Sequence, residues 1–423
     1  MKALALIILI AAPVHATTFT AADCERATIN TIIANDINAG SGGDTLVVPP
    51  GSCTWTAALT TFTKSVTLKG YGALITVSAV NKFIDLGTTA NSTVEGFKFV
   101  LTGDSPAGTN MIFLQGQGFK IVRNIFINQL TGSNSSNNSI QIQGGTSVAH
   151  PTGVVAYNTF YKCRVLVFGN AGIPGNPGAL PEPWSLTSSI GNADQTGVVY
   201  VENNWFDRAD ATHNAIDSQY GGRYVFRYNT VVNMNTEMHS INGNERGGRS
   251  AEIYKNNFSA TVAMSHVFFQ RAGEGVIWGN VIAGTNYAAD GFKFDNIRSY
   301  TNTGTSGCCD GNSSWDANTA DEEGWPCRDQ IGRGKDNAAW PDAGQASSPY
   351  YEWDNTRNGA NLDPTVVNTG STCKTGGSSA DIVAGRDYIV DTERPSYRTY
   401  TYPYPGLGTA EQQRPNVRKR GGL

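Results

Sequence analysis

The feature that most constrains the fold is a short segment that recurs through the middle of the chain. Each copy has an apolar residue three positions before an asparagine and another apolar residue two positions after it. The Asn-to-Asn steps are 34, 46, 25, 27 and 24 residues, so the last three are close to one period. A repeat of this length is one structural unit that buries an apolar core only by stacking on its neighbours. The copies are centred on Asn124, Asn158, Asn204, Asn229, Asn256 and Asn280.

The composition favours short strands and tight turns over helices. The chain has 48 glycines among 423 residues, and helical periodicity is nearly absent. An asparagine at a repeated register is typical of a turn, because Asn tolerates left-handed backbone and its amide can bond to the Asn stacked above it. These patterns predict an all-β solenoid. A leucine-rich horseshoe has a similar period, but its leucine pattern is absent.

The beginning of the repeat region carries a family resemblance. The segment Gly43 to Gly51, together with Trp55 and the segment Ser65 to Gly70, resembles the first coils of the pectate-lyase-like superfamily. The Asn template is similar to the repeat of the same superfamily, and the resemblance covers residues 45–297. It implies a right-handed parallel β-helix over that range.

The segments before the repeat region predict an exported protein with a capped end. Residues 1–16 have a basic start, an apolar run too short to span a bilayer and a small-residue cleavage site after Ala16, which together predict a signal peptide and a secreted or periplasmic location. Residues 17–44 are predicted to cap the open end of the stack, because Ala21 to Ala34 has helical spacing.

The segments after the repeat region leave two interpretations open. Residues 298–375 carry four cysteines and several tryptophans. A long insertion of this kind is usually functional or a subdomain, so it is interpreted either as an aromatic shelf over a sugar groove or as a disulfide-stapled cap. Residues 376–423 are predicted to be a tail that packs on the β-helix, with a disordered basic end.

The charge balance argues against nucleic acid as a partner, and the lengths of the apolar stretches argue against a membrane span. Removal of residues 1–16 takes away one of 31 basic residues and none of 35 acidic residues, which leaves 30 against 35. No global basic field is available for nucleic acid. No later stretch reaches eighteen apolar residues, so no membrane span is expected. The oligomeric state stays open.

The seven cysteines fit an oxidising compartment. Their positions predict a Cys24–Cys53 bridge near the N-terminus and a buried free thiol at Cys163. Two further bridges are expected among the last four cysteines, without a choice between their three pairings. A zinc site is the competing interpretation, but CxxC and HxxxH spacings are absent. The last four are Cys308, Cys309, Cys327 and Cys373.

Three histidines recur at nearly the same distance from the repeat asparagine. His213 lies nine residues after its asparagine, and His239 and His266 each lie ten residues after theirs. Alternation along the second strand of each coil predicts that all three point outward in one column, with steps of about 4.8 Å. A polar ladder without function is the alternative. The residues expected to share this face are Asp217, Gln270, Arg271, Lys293 and Asp295.

A charged, glycine-rich turn follows His239. The segment Asn242 to Arg249 is predicted to present Glu245, Arg246 and Arg249. Arginine grips a carboxylate through two hydrogen bonds and keeps its charge, so this turn suits recognition of a uronic acid. A surface turn that is charged without function is the alternative.

The family resemblance implies a reaction class. Many members are polysaccharide lyases, which neutralise a uronate carboxylate, remove the C5 proton and expel the 4-linked sugar. His239 would act as base or acid, Arg246 or Arg249 would hold the carboxylate, and His213 or His266 would serve the leaving group. The expected partner is an acidic polysaccharide. The remaining substrate-binding candidates are Glu245, Asp217, Gln270, Arg271 and Lys293.

The sequence departs from the better-defined members of that superfamily. The acidic metal cluster and arginine base of the calcium-dependent pectate lyases cannot be placed, so no cofactor is assigned and calcium stays an open alternative. The paired aspartates and Asn-Thr-Asp motif of polygalacturonases are absent, which makes a glycoside hydrolase a weaker alternative. A non-catalytic glycan-binding protein, or a surface-structural adhesin, would also explain the coil stack.

Overall fold

The computed structural model describes residues 16–78, 82–102, 110–129, 138–144, 151–169, 184, 190–191, 197–208, 214–240, 246–289, 291–295, 327–337, 345–367 and 382–408. Their strands form three long sheets, and from Val66 onward each coil contributes one strand to each sheet in turn. The strand pairing within the coils is parallel. The prediction of an all-β parallel β-helix is therefore confirmed.

Sheet 1 has twelve of the described strands. They are, in spatial order, β1 (Thr18–Thr20), β2 (Asp44–Val47), β4 (Val66–Lys69), β7 (Thr93–Glu95), β10 (Gln117–Val122), β13 (Thr152–Ala156), β16 (Val199–Glu202), β19 (Arg223–Arg227), β22 (Ser250–Tyr254), β25 (Glu274–Trp278), β30 (Tyr350–Trp353) and β34 (Tyr388–Ile389).

Sheet 2 has eleven of the described strands, and only the last pairing is antiparallel. They are β3 (Gly51–Trp55), β5 (Ala73–Val77), β8 (Lys98–Leu101), β11 (Ile125–Asn128), β14 (Thr159–Tyr161), β17 (Trp205–Asp207), β20 (Thr230–Val232), β23 (Asn257–Ser259), β26 (Val281–Ala283), β31 (Thr356–Arg357) and β32 (Ala360–Asn361).

Sheet 3 has nine of the described strands. They are β6 (Lys82–Asp85), β9 (Asn110–Leu114), β12 (Asn138–Gln143), β15 (Val165–Phe168), β18 (Asn214–Gln219), β21 (Asn235–Met238), β24 (Phe268–Gln270), β27 (Phe292–Asp295) and β33 (Thr365–Val367). A separate antiparallel pair is formed by β28 (Arg333–Asp336) and β29 (Gln345–Ser347).

The core lies inside the three sheets, because alternate residues of each strand point inward and stack on their equivalents one coil away. In sheet 2 the rings of Phe99, Phe126, Phe160 and Phe206 stack with centroids 5.6, 5.0 and 4.5 Å apart. Full burial of each such side chain stabilises the fold by roughly 1.5–3 kcal/mol. The same parity turns the intervening residues outward, which is how the coil stack builds a continuous polar surface.

The repeat asparagines form one buried ladder. From Asn158 to Asn280, the side-chain oxygen of each accepts the backbone N–H of the asparagine one coil earlier, at 2.8–3.1 Å, and the oxygen of Asn124 accepts the N–H of Phe97 at 3.0 Å. The predicted column of Asn158, Asn204, Asn229, Asn256 and Asn280 is confirmed. The ladder continues to Asn355 at 3.2 Å, and β30, β31 and β33 add a coil after residue 297.

The left-handed backbone in this turn belongs to the residue before the asparagine. Tyr157, Asn203, Tyr228 and Lys255 have φ between 54 and 59°, whereas the asparagines that follow them are absent from the left-handed region. The asparagine is therefore selected for its amide, which caps backbone groups of the neighbouring coil, and the tolerance of Asn for left-handed backbone is not the reason for the repeat.

The N-terminal cap is a helix fastened by a disulfide. The helix Arg26–Ile32 continues as one π-helical turn, Ile33–Ile37, and buries Ile29 and Ile33 against the first coils. The Cys24–Cys53 bridge is confirmed.

The other cysteines are described in part. Cys163 is free and buried as predicted, and burial raises the pKa of its thiol to about 12. Cys327 is in a disulfide. The other three candidates, Cys308, Cys309 and Cys373, lie outside the described residues.

The C-terminal segment from Arg394 to Leu407 lies across the outer face of sheet 1. The guanidinium of Arg227 donates to the backbone oxygens of Tyr400 and Thr401 at 3.0 and 2.9 Å, and Glu202 accepts the N–H of Tyr404 at 2.9 Å. This segment therefore covers sheet 1 and leaves the outer face of sheet 3 to the site described below. In the part of the chain that the structure describes, no helix is long and apolar enough to cross a membrane.

Candidate active site on sheet 3

A cluster of charged side chains lies on the outer face of sheet 3, where β18 pairs with β21. Asp217 lies in β18, Glu237 lies in β21, and His239 follows the last residue of β21. Strand alternation places Glu237 and His239 on the same side of the sheet. Together with Arg164 and Arg271 these residues are called the His239 cluster.

A buried carboxylate holds the imidazole of His239. The Nδ1 atom lies 2.7 Å from Oδ1 of Asp217, and Nε2 lies 3.7 Å from Oε1 of Glu237. An ionised Asp217 accepts the proton of Nδ1, which fixes the tautomer and leaves the lone pair on Nε2. His239 is thereby prepared to accept a proton at Nε2.

Two arginines balance the two carboxylates. Arg271 donates to Glu237, and Nη1 of Arg164 lies 3.6 Å from Oδ2 of Asp217. Asn214 links the Arg164–Asp217 pair to the Arg271–Glu237 pair, since it accepts a hydrogen bond from Arg164 at 3.3 Å and donates one to Glu237. The cluster therefore carries the groups needed to bind an anion and to transfer a proton.

The pKa values of the two carboxyls move in opposite directions. Burial works to raise the pKa of Asp217, but the charge and hydrogen bond of His239 and then the two arginines outweigh it and hold the pKa below its usual value. Burial and the charge of Asp217 raise the pKa of Glu237, with Arg271, His239 and Arg164 opposing. Neighbouring carboxyls whose pKa values diverge are typical of acid–base sites.

Exposure differs within the cluster in a way that suits a binding site. The side chains of His239 and Glu237 are 18 and 16 % exposed, whereas Asp217 is 4 % exposed. Solvent can therefore reach the imidazole and Glu237, while the residue that orients the imidazole stays sheltered.

The next coil extends the surface with an aromatic ring. Phe269 is in register with Glu237 on one side and with Lys293 on the other. Its ring lies 4.4 Å from the ring of His266 and 4.7 Å from the guanidinium carbon of Arg271. Arg271 is thus positioned by Phe269 as well as by Glu237.

The predicted histidine column is wrong. Phe268 pairs with Thr236 and Gln270 with Met238, so the residue in register with His239 is Arg271, and His266 lies five positions earlier along its strand. The count from the repeat asparagine failed because the connection between the strands differs in length between coils. His213 lies outside the described residues.

Gln270 was expected on the outer face, and this is also wrong. It points inward, is fully buried, and accepts a hydrogen bond from the hydroxyl of Tyr224 at 3.4 Å. Asp217, Arg271 and Lys293 do lie on the outer face as expected, and the first two belong to the His239 cluster.

The arginines of the glycine-rich turn are buried rather than presented to solvent. Arg246 donates to both oxygens of Asp329 at 2.7 Å and to both oxygens of Asp336 at 3.0 Å. Arg249 is paired with Glu274 at 2.7 Å. The expectation that Arg246 and Arg249 grip a substrate carboxylate is therefore wrong, because carboxylates of the protein occupy that geometry. Glu245 lies outside the described residues.

Sequence reasoning missed Glu237, Arg164 and Asn214. Glu237 lies two residues before His239, so strand alternation alone could have placed it on the same face. Arg164 and Asn214 act through contacts across coils, and the register between those coils is not readable from one sequence.

The same cluster brings together side chains of the types that bind cations. Ligand atoms of Asp217, Glu237 and His239 lie within 4.8 Å of one another. Calcium prefers an all-oxygen shell, which the imidazole nitrogen does not supply, and two arginines already balance the carboxylates. The residues therefore do not fit calcium.

Comparison with known proteins adds no further identification. No family model matches the chain, and no curated protein matches it.

Proposed function

We propose that this protein is an exported polysaccharide lyase that cleaves a uronic-acid-containing polymer by β-elimination at the His239 cluster. The observation that carries the proposal is the 2.7 Å contact between Nδ1 of His239 and the buried Asp217 on a partly exposed sheet face. This contact leaves Nε2 as a base, which is the group that removal of a C5 proton requires.

The arginines support the same reaction. Proton loss from C5 places negative charge on the uronate carboxylate, and a cation nearby stabilises that charge. Arg271 is at the edge of the cluster, and its buried Nε makes no hydrogen bond with the residues that the structure describes. That nitrogen is closed to solvent, so Arg271 would stabilise a substrate carboxylate through its charge beside the partly exposed Glu237 rather than through this N–H.

The place of the protein in the pectate-lyase-like superfamily and its location outside the cytoplasm belong to this proposal. The parallel β-helix supports the first, and the Cys24–Cys53 bridge supports the second. The leader-like composition of residues 1–16 also favours export.

Hydrolysis by two carboxyl groups is the second candidate, because the pKa values of Asp217 and Glu237 diverge. The geometry disfavours it. Oxygens of the two carboxyls lie within 4.8 Å, whereas retaining glycosidases separate theirs by about 5–5.5 Å and inverting enzymes by more.

The test is an assay of the purified protein on a panel of uronate polysaccharides. Absorbance from the unsaturated product is expected to rise with the number of new reducing ends. New reducing ends without that absorbance would indicate hydrolysis, and binding without either product would indicate a glycan-binding protein. Prior dialysis against EDTA is expected to leave the rate unchanged, because arginines hold the carboxylate.

A further inference from the structure

The two groups able to transfer protons in the His239 cluster lie side by side. Nε2 of His239 and Oε1 of Glu237 are 3.7 Å apart, and both side chains rise from the same face of sheet 3. A sugar on this face meets both groups from one side of its ring.

The stereochemistry of the elimination depends on this arrangement. A base and an acid each act within about 2.6–3.2 Å of the proton they transfer. When the C5 hydrogen and the 4-linked oxygen are on opposite sides of the sugar ring, the two groups must flank the ring and lie roughly 6 Å or more apart, about twice that reach. When both are on one side, neighbouring groups suffice.

We propose that the site performs syn elimination, with His239 as base and Glu237 as acid, on uronates whose C5 hydrogen and 4-linked oxygen lie on the same side of the ring. D-Mannuronate and D-glucuronate have this configuration. L-Guluronate, the C5 epimer of mannuronate, and D-galacturonate, the C4 epimer of glucuronate, have the two groups anti. The inference rests on the proposed lyase function and adds the substrate class and the acid.

The step balances within the cluster. Nε2 of His239 takes the C5 proton, and the C–H electron pair becomes the C4–C5 double bond. The C4–O4 bond breaks, its electron pair stays on O4, and O4 takes the proton of Glu237. The imidazolium and the carboxylate that result lie close enough for the proton to return from His239 to Glu237, directly or through one water.

The charges around Glu237 are consistent with its role as an acid. Burial and the charge of Asp217 raise its pKa, while Arg271, His239 and Arg164 face it and lower it. A bound uronate carboxylate competes with Glu237 for Arg271. The charge of Arg271, which lowers the pKa of Glu237 more than any other neighbour does, is thereby partly drawn away when substrate is present.

The experiment compares two pairs of epimeric polymers at equal concentration: polymannuronate with polyguluronate, and glucuronan with polygalacturonate. Initial rates are followed by absorbance of the unsaturated product. Polymannuronate or glucuronan is expected to be cleaved with a kcat/KM about 100-fold or more above its epimer. Equal rates, or a preference for the anti epimers, would overturn the syn assignment and leave the lyase function standing. Failure of all four polymers to give unsaturated product would overturn both.

A variant separates the acid from the base. In Glu237→Gln the base remains, so the protein is expected to exchange the C5 hydrogen of the preferred polymer for deuterium in D2O while cleavage falls about 100-fold. His239→Asn should abolish both. Glu393→Gln, an exposed carboxyl outside sheet 3, is the matched control and should leave both unchanged. Cleavage that survives in Glu237→Gln, or exchange that is lost together with cleavage in a folded protein, would show that Glu237 is not the acid.

Discussion

The His239 cluster and the cluster around Arg246 contain the same kinds of residue but differ in saturation and burial. Arg246 is fully buried, and four of its hydrogen bonds go to Asp329 and Asp336. In the His239 cluster the imidazole and Glu237 are partly exposed, and the Nε of Arg271 has no hydrogen-bond partner among the described residues. Charged groups that are closed off from solvent hold the fold together, whereas partly exposed groups beside an oriented imidazole can act on a ligand.

The largest effect expected from this difference is loss of turnover without loss of fold. His239→Asn keeps a donor toward Asp217 but removes the proposed base, so kcat of the proposed elimination should fall about 10⁴-fold, or roughly 5 kcal/mol. The free energy of unfolding should change by less than about 1 kcal/mol. Steady-state rates and a thermal melt measure the two quantities. A large drop in melting temperature with activity retained would show that His239 is structural.

The Arg246 cluster should behave in the opposite way. Arg246→Met leaves buried Asp329 without the guanidinium that it pairs with and leaves Asp336 with the longer 3.4 Å ion pair to Arg328, which should cost about 3–5 kcal/mol of folding free energy. Arg398→Met, at an exposed position, is the control, and denaturant unfolding is the measurement. Additional replacement of Asp329 and Asp336 by Asn should recover part of the loss. If the Arg246→Met protein has normal stability but loses substrate affinity, the glycine-rich turn that contains Arg246 is a binding site after all.

The sequence allowed the fold to be predicted further than the site. The asparagine ladder repeats a local interaction in every coil, so its period is visible in the chain. The asparagine is nevertheless selected for its amide and not for its tolerance of left-handed backbone. The site depends on which residue of one coil faces which residue of the next. The connections between β18, β21 and β24 are unequal, and an error of a few residues therefore displaced His266 from the register of His239.

Burial was the second quantity that the sequence did not reveal. A glycine-rich turn with two arginines is typical of an exposed loop, yet Arg246 and Arg249 are covered. Trp184 lies 4.9 and 5.2 Å from their guanidinium carbons, and Asp329 comes from a segment about eighty residues later in the chain. Such distant contacts leave no local pattern.

Asp217 is buried, like the residues around Arg246, but it contacts the partly exposed imidazole of His239. Asp217→Asn keeps the shape and removes the acceptor for Nδ1–H, so kcat should fall about 10²-fold, or roughly 3 kcal/mol, with little change in KM. The ¹⁵N chemical shifts of His239 should report the other tautomer. An unchanged tautomer together with the lower rate would mean that Asp217 does not act by orienting the imidazole.

The smallest expected effect concerns a buried carboxyl on sheet 1 whose hydrogen-bond partners are neutral. Glu252 accepts from the hydroxyl of Tyr397 at 2.7 Å and from the N–H of Gly191 at 3.2 Å, and burial raises its pKa from 4.5 to about 7. Because the folded protein binds this proton more tightly than the unfolded chain, the stabilisation is complete below the unfolded pKa and is lost as the pH rises through the folded one.

The melting temperature should therefore fall between about pH 5 and pH 8 by an amount that reflects roughly 2 kcal/mol. Glu252→Gln should reduce that slope, and Glu352, whose pKa burial also raises to about 7, should account for part of what remains, whereas Glu393→Gln should leave the slope unchanged. Asp217 has the opposite sign, because its lowered pKa contributes stability above the unfolded pKa that is lost only as the pH falls through the folded one. The two carboxyls thus affect stability on different sides of neutrality. A slope that is not reduced in Glu252→Gln would assign the whole titration to other groups.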